Sequence, residues 1–450
     1  MIDTSAGQAQ GHGPAQGHGP GRETTEGAEL PPSVDVVVVG GGIAGWTAAW
    51  TAAAGGASVQ VIEAHDHGGR ARTVERDGFR HNIGPHALYL GGHLQQLLDR
   101  HGVQVAGRRL ETQRVTLVRG GELHEFIAGP VGLLRTTVLR PRDRARLLRL
   151  FARLGQLDPA RFVGRTVEDW LGDEPVAVQQ VVGTFVRVST YTDAPAELDA
   201  GAAIAQVQMA QRGVRYLDGG WAQLVAGIAG AATSAGAREV TGVEVRHVAP
   251  AGGELLVATS AGDVRARAVV LAAGGPEVAE RLTGAAVADR DALTAPIAAT
   301  TLDLALAQPH ERVVFGVTEP LYLSPHAPTA RLAPPGRGLV CTMRYLAPGE
   351  APTAPDVERA RLRAFAALAG IDPGDVLHEW ALHRSVVSHG APSARGGGLA
   401  GRPATDALGL PGVFLAGDWV GPTGMLADAA AASGEQAARR ALSICASIRG

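Results

Sequence analysis

Apolar positions along this chain change period several times, and each change marks an element. Residues 36–39 form an unbroken apolar run, which predicts a parallel strand buried on both faces. Residues 46–54 are small and apolar at helical spacing, and 58–62 predict a second strand. Residues 93–100 read as a helix. Segments 114–118 and 122–127 alternate on either side of Gly120-Gly121, which predicts a hairpin. Over 141–157, Leu147, Leu148, Leu150 and Leu154 recur at helical spacing among Arg142, Arg144, Arg146, Arg149 and Arg153, a basic amphipathic helix. A helix is expected over 222–235 and a buried strand over 265–275. Strand-like runs at 300–306 and 338–343 precede a helix at 354–369, and a short strand at 413–416 leads into a long alanine-rich helix. Residues 1–33 are polar, rich in Gly, Pro and Gln, and repeat QGHGP; a disordered tail is expected there.

The first strand, a glycine turn and a helix follow one another directly. Gly40, Gly42 and Gly45 have G-x-G-x-x-G spacing, in the order that binds a dinucleotide. Gly40 allows the tight turn, Gly42 lets backbone approach a pyrophosphate, and Gly45 lets helix and strand pack closely. Ile43 and Ala44 complete the turn into the helix. Glu63, closing the second strand with Ala64 after it, is placed to accept ribose hydroxyls. Gly396, Gly398 and Gly401 repeat the spacing, but no apolar strand precedes them and Arg402-Pro403 follows, so that copy reads as a loop. Between FAD and NAD, Gly69 and Arg70 of the Gly68-Gly69-Arg70 run favour FAD, because they bring backbone and a guanidinium to a second phosphate or the flavin edge.

GGGIAG, the Glu63 acid, GGRARTVERDGFRHNIGPH and the C-terminal VFLAGDWVGPTGMLADAAAASGEQAARRA together resemble the flavoprotein superfamily of phytoene desaturases, protoporphyrinogen oxidases and flavin amine oxidases. The resemblance covers nearly all of the chain after residue 33. It implies an α/β fold: a Rossmann-like FAD-binding domain in three pieces (34–92, 206–288 and 405–450) and a discontinuous α+β substrate-binding domain in two (93–205 and 289–404). It also implies roles. Gly84, Pro85 and His86 form a turn beside the isoalloxazine, with Tyr89 close by. Val245 lies against the adenine, and Ala273 brings small-residue backbone to the cofactor. Gly417 and Asp418 meet the ribityl or pyrophosphate region, and Met425 and Leu426 offer backbone N–H groups at a helix start to the flavin pyrimidine.

Composition narrows this picture. Net charge is −3, which gives no reason to expect nucleic acid. The chain's 41 basic residues are all arginine. Cys341 and Cys445 stand far apart without metal-ligand spacing, so free thiols, no metal and a cytoplasmic setting are expected. No apolar stretch approaches the roughly 18 residues of a membrane span. The basic helix is the one feature that allows peripheral membrane contact.

Flavin carries the hard chemistry, and three uses of it compete. Amine oxidation, in the resembled enzymes, uses a lysine-held water and an aromatic cage; lysine is absent here, Met425 aligns with a cage wall, and aromatics are only 4% of the chain. Desaturase-like removal of hydride from a carbon of an apolar, unsaturated or cyclic substrate is favoured, with oxygen or a quinone as electron acceptor. A redox-neutral isomerase or flavin-bound binding protein is the third. His86, from the turn beside the isoalloxazine, and His383, from a group with Trp380, Arg384 and His389 that is expected to return over the flavin, are the candidate acid–base residues.

Overall fold

The computed structural model describes residues 30–66, 68–111 and 114–449. Most of the expected disordered tail lies outside the described residues. Its end does not: Leu30 packs against a core and Ser33 already opens the first strand.

Two sheets organise the chain. In the first, Ser33–Val39 is central because valines fill both of its faces. It pairs in parallel with Val59–Ile62 on one side and Gly262–Leu271 on the other. Arg238–Val240 extends the parallel set at one edge, and Val413–Leu415 joins the last three residues of Gly262–Leu271. The first half of Gly262–Leu271 instead pairs antiparallel with Glu254–Thr259, which continues to Val245–Ala251. Helices Ile43–Ala54, Ala222–Ser234 and Leu426–Arg449 cover one face through Trp46, Ile228 and a run of alanines. Helix His93–Arg100 buries Leu94, Leu97 and Leu98 in this same core, although the sequence reading places it with the substrate domain.

The second sheet runs Val376–Ser388, Ile297–Leu306, Gly338–Tyr345, Leu321–Ala327, Val314–Gly316, Arg114–Arg119, Glu122–Ile127. The expected hairpin is its edge. Leu302, Leu304 and Leu306 alternate toward helix Pro355–Leu368, where Leu362 and Phe365 receive them. The opposite face looks toward the first sheet and toward helices Pro141–Leu154, Val176–Thr190 and Ala200–Gln211. In the basic helix Leu147 and Leu154 point into that core while the arginines lie outside. Among the described residues no helix is long and apolar enough to cross a membrane. Cys341 and Cys445 are both buried.

Candidate cofactor and substrate site

Five parallel strands end at one edge of the first sheet, and the loops after four of them carry the motif residues. This is where open α/β sheets bind ligands. After Ser33–Val39 comes the glycine turn. Gly40 sits at φ +105°, and a Cβ there would lie 2.8 Å from the Ala272 carbonyl oxygen. A Cβ on Gly45 would lie 1.8 Å from the Gly40 carbonyl oxygen, so helix and turn touch backbone to backbone. Gly42 differs: a Cβ there meets nothing within 4 Å. The helix beginning at Ile43 and Ala44 has no side-chain cap and no acid in its first turn. An uncapped helix start beside open space is a cradle for a pyrophosphate.

After Val59–Ile62, Glu63 reaches back. Its Oε2 accepts from Gly41 N–H at 2.7 Å and its Oε1 from His65 N–H at 2.8 Å. Gly68 N–H donates to the Gly41 carbonyl at 2.7 Å, laying the Gly68–Arg70 loop on the turn, while Ala64 and Gly69 stay exposed. Val243, which the sequence reading passed over, donates its N–H to the Glu63 carbonyl at 3.1 Å. Val245 lies two residues further, paired with Thr259 in the antiparallel arm.

The third and fourth loops close the arrangement. Ala272 and Ala273 follow Gly262–Leu271 beside Gly40, and the Gly274 carbonyl accepts from Trp419 Nε1 at 3.1 Å. Gly417 is tied at both N–H and carbonyl to Ser433 Oγ. Asp418 is buried. Its Oδ2 accepts from Arg70 Nη1 at 3.0 Å, and its Oδ1 lies 3.2 Å from His389 Nδ1. Burial alone would raise the Asp418 carboxyl, but Arg70 and His389 hold it well below the usual carboxylate range. Its side chain therefore locks two loops together rather than projecting freely. Arg402, which the sequence reading passed over as part of a loop, donates to the Asp418, Thr423 and Gly424 carbonyls and so pins the turn into the last helix. Burial lowers its pKa to about 10, against the pull of Asp418.

At that turn Leu426 has φ +56°, a left-handed conformation rare for a branched side chain. Met425 is buried in the substrate-side core. Three residues after Met425, Asp428 accepts from Leu94 N–H at 2.9 Å, and burial raises its pKa to about 6. The folded protein thus holds a proton on Asp428 at pH values where the unfolded chain, near 3.8, has lost it. Stability from this group is present at low pH and falls as pH rises from about 4 through about 6. Asp428→Asn keeps an acceptor for Leu94. In urea titrations it should remove a pH-dependent loss of at most roughly 3 kcal/mol between pH 4.5 and 7. An unaltered pH dependence would show that Asp428 is not the group responsible.

Gly84, at φ +85°, leads through Pro85 to His86. His86 Nδ1 lies 2.9 Å from the Gly84 carbonyl, and the ring packs on Trp221 at 4.8 Å. Burial, with Arg70 near, lowers its pKa despite the Gly84 bond. His383 goes elsewhere. His383 and Arg384 together oppose Thr300, because the register passes from Ala299–Ser385 to Thr301–Leu382. Alternation from Trp380, which pairs with Asp303, already turns His383 to the other face, exposed and outside the cavity lining, so the structure does not bring it to the site.

Beside this edge lies a cavity of ≈ 430 Å³ between the second sheet and its helices. Among the described residues no charged side chain lines it. Four of the chain's five tyrosines do: Tyr89, Tyr191, Tyr216 and Tyr322. Tyr89 Oη donates to the Ser189 carbonyl at 2.7 Å, and Tyr216 Oη lies 3.0 Å from Tyr322 Oη and 2.8 Å from Ser324 Oγ. Phe126, Phe151 and Phe185 pack together on the helical side. Low aromatic content in the whole chain concealed this concentration, which becomes visible only once distant segments meet.

The family model described as flavin containing amine oxidoreductase matches residues 43–442. The chain belongs to that family. As a member of that family it is an FAD-dependent oxidoreductase, and the Gly42 cradle fits that cofactor. A coproporphyrinogen III oxidase of Propionibacterium freudenreichii subsp. freudenreichii is 38% identical over 113 residues, 24% of this chain and 20% of that protein. A carotenoid 3,4-desaturase of Haloarcula japonica is 52% identical over 52 residues, 11% of this chain and 10% of the other. The matches thus span at most about a fifth of either curated relative's length. Cyclohexylamine oxidase from Brevibacterium oxydans shares the fold, with a TM-score of 0.68 at 18% identity over 93% of this chain and all of the other.

Proposed function

We propose that the protein removes hydride from a carbon of an uncharged, unsaturated or cyclic substrate, in a desaturation or dehydrogenation with oxygen or a quinone as final acceptor. The cavity carries this reading. With no charged lining residue among the described residues, a carboxylate-rich or cationic ligand would be buried without a partner, at a cost of several kcal/mol per ion (~3–5 or more). A porphyrinogen bearing several carboxylates fits poorly for that reason. A polyene or terpenoid fits. FAD supplies the hydride acceptor. The chain's own part is to hold the reacting carbon against apolar walls and exclude water, while the Tyr216–Tyr322–Ser324 cluster receives a polar end of the substrate or its proton. Val131 and Leu134 are exposed on the short helix whose Pro130 and Leu133 line the cavity, so entry is over an apolar rim.

One observation favours a second reading. The tyrosine-rich wall supplies aromatic surface of the kind an amine site uses, and cyclohexylamine oxidase shares the fold. Anaerobic bleaching of the flavin separates the two. One panel holds primary, secondary and polyamines; the other holds polyenes, cyclic terpenoids and porphyrinogens. We expect bleaching by uncharged members of the second panel. Fast bleaching by an amine alone would establish amine oxidation, and no bleaching by either panel would favour a redox-neutral role.

A further inference from the structure

Tyr191 brings to the cavity wall a hydroxyl that has no hydrogen-bond partner among the described residues. It stands just past helix Val176–Thr190, with its backbone left-handed at φ +56°. Side chains with a Cβ rarely take that conformation, and it persists where the surrounding structure enforces it. The other three tyrosines of the lining use their hydroxyls within the protein. Tyr89 Oη donates to the Ser189 carbonyl, and Tyr216 bonds both Tyr322 and Ser324. Tyr345, whose ring lies 6.3 Å from that of Tyr191, also has an unpartnered hydroxyl, but it is buried and off the lining. Burial raises the Tyr191 pKa well above the usual phenol value, so its hydroxyl keeps its hydrogen at neutral pH.

The neighbouring cluster adds to this surplus of hydrogens. Tyr216, Tyr322 and Ser324 carry three hydroxyls, and two contacts join them. Each contact takes one hydrogen, whichever oxygen donates it, so one hydrogen is left over. Ser324 also draws the Tyr322 pKa down, yet among the described residues no bond of ordinary geometry joins those two and closes the ring. Ser189 Oγ, on the same lining, has no partner among the described residues either. After burial, Tyr216 adds to the rise of the Tyr191 pKa and Tyr191 to that of Tyr322, so these hydroxyls are neighbours. Water serves such groups while a cavity stands open. A hydrocarbon that displaces the water leaves them stranded, whereas an oxygen on the ligand takes its place.

We propose that the substrate bears one uncharged oxygen, a carbonyl or a hydroxyl, on an apolar cyclic or terpenoid skeleton, and that Tyr191 is the residue that selects it. The Tyr191 hydroxyl donates to that oxygen, and the spare hydrogen of the Tyr216 cluster is the second donor. Among the polyenes and terpenoids that fit the cavity, the site thus favours oxygenated members. Its use in turnover rests on the carbon-oxidation reading.

Decalin, decalol and decalone share one bicyclic skeleton and carry no oxygen, a hydroxyl and a carbonyl. Equilibrium dialysis against FAD-loaded enzyme without oxygen gives their affinities. Hydrophobic transfer favours decalin in any apolar pocket, so the readout is the change on Tyr191→Phe. That variant keeps the ring and loses an unpartnered hydroxyl, so its melting temperature should not fall. Decalone or decalol should bind it roughly threefold to tenfold more weakly, with decalin unchanged or tighter. The larger loss tells carbonyl from hydroxyl. Infrared spectra check the contact directly: the carbonyl stretch of bound decalone should lie below its value in hexane and move back toward it in Tyr191→Phe. Equal losses for all three ligands, no loss for any, or a stretch that Tyr191→Phe does not move would overturn the proposal. A selective loss while neither substrate panel bleaches the flavin keeps Tyr191 as the selector and rejects carbon oxidation. Bleaching by a plain hydrocarbon polyene, with no selective loss, does the reverse.

Discussion

Gly45→Ala is expected to yield a colourless protein that added FAD does not restore. The new Cβ would stand 1.8 Å from the Gly40 carbonyl oxygen and 3.0 Å from its carbon. No side-chain rotamer relieves this, because Cβ is fixed by the backbone. Either the glycine turn opens or helix Ile43–Ala54 lifts away from Ser33–Val39, at about 3 kcal/mol or more. Gly42→Ala is the control. Its Cβ meets no protein atom within 4 Å, so the melting temperature of the FAD-free protein should hold while flavin affinity falls. Differential scanning fluorimetry and flavin titration of both variants check the pair. A yellow, stable Gly45→Ala protein would show that the turn is not where the cofactor rests. The decoy motif makes the same contact, with Gly401 set against the Gly396 carbonyl, so Gly401→Ala should lower stability without a specific loss of flavin affinity.

Arg70→Ala is expected to cost about 3 kcal/mol, the lower end for breaking a buried ion pair, since Arg70 is itself 39% exposed and His389 stays beside Asp418. Arg70 also donates to the Val387 carbonyl at 2.5 Å, so the loss loosens the strand end before His389 as well. Asp418 sits far below its unfolded value of 3.8 in the folded protein. Its stabilising contribution is therefore complete above that value and is lost progressively as pH falls below it. Arg70→Ala should shrink this acid limb, and adding Asp418→Asn should recover much of the loss by removing the stranded charge. Denaturant titrations at pH 3, 4 and 7 measure both. A cost that is the same at every pH, and is not recovered in the double variant, would mean that the Arg70–Asp418 pair contributes nothing to the folded state.

The sequence by itself determined the strand–turn–helix and most element positions, because these depend on neighbours in the chain. Valines 36–39 can only be a doubly buried strand, and glycine spacing alone sets the close approach of Gly45 to Gly40. His93–Arg100 and the hairpin of Arg114–Arg119 with Glu122–Ile127 also follow local periodicity. The wider site depended on tertiary structure. Arg70 and Asp418 are 348 residues apart, and only the parallel order of the strands brings their loops together. Nothing near Arg402 in sequence signals that three carbonyls of the last turn will receive it. His383 fell outside the site because alternation from Trp380, which pairs with Asp303, puts it on the outer face with Glu379 and Ala381, and only the register of the sheet shows which of those faces is the inner one. His81, Asp303 and His378 form a line for the same reason: alternation puts each on a definite face, but register across separate strands decides which faces meet.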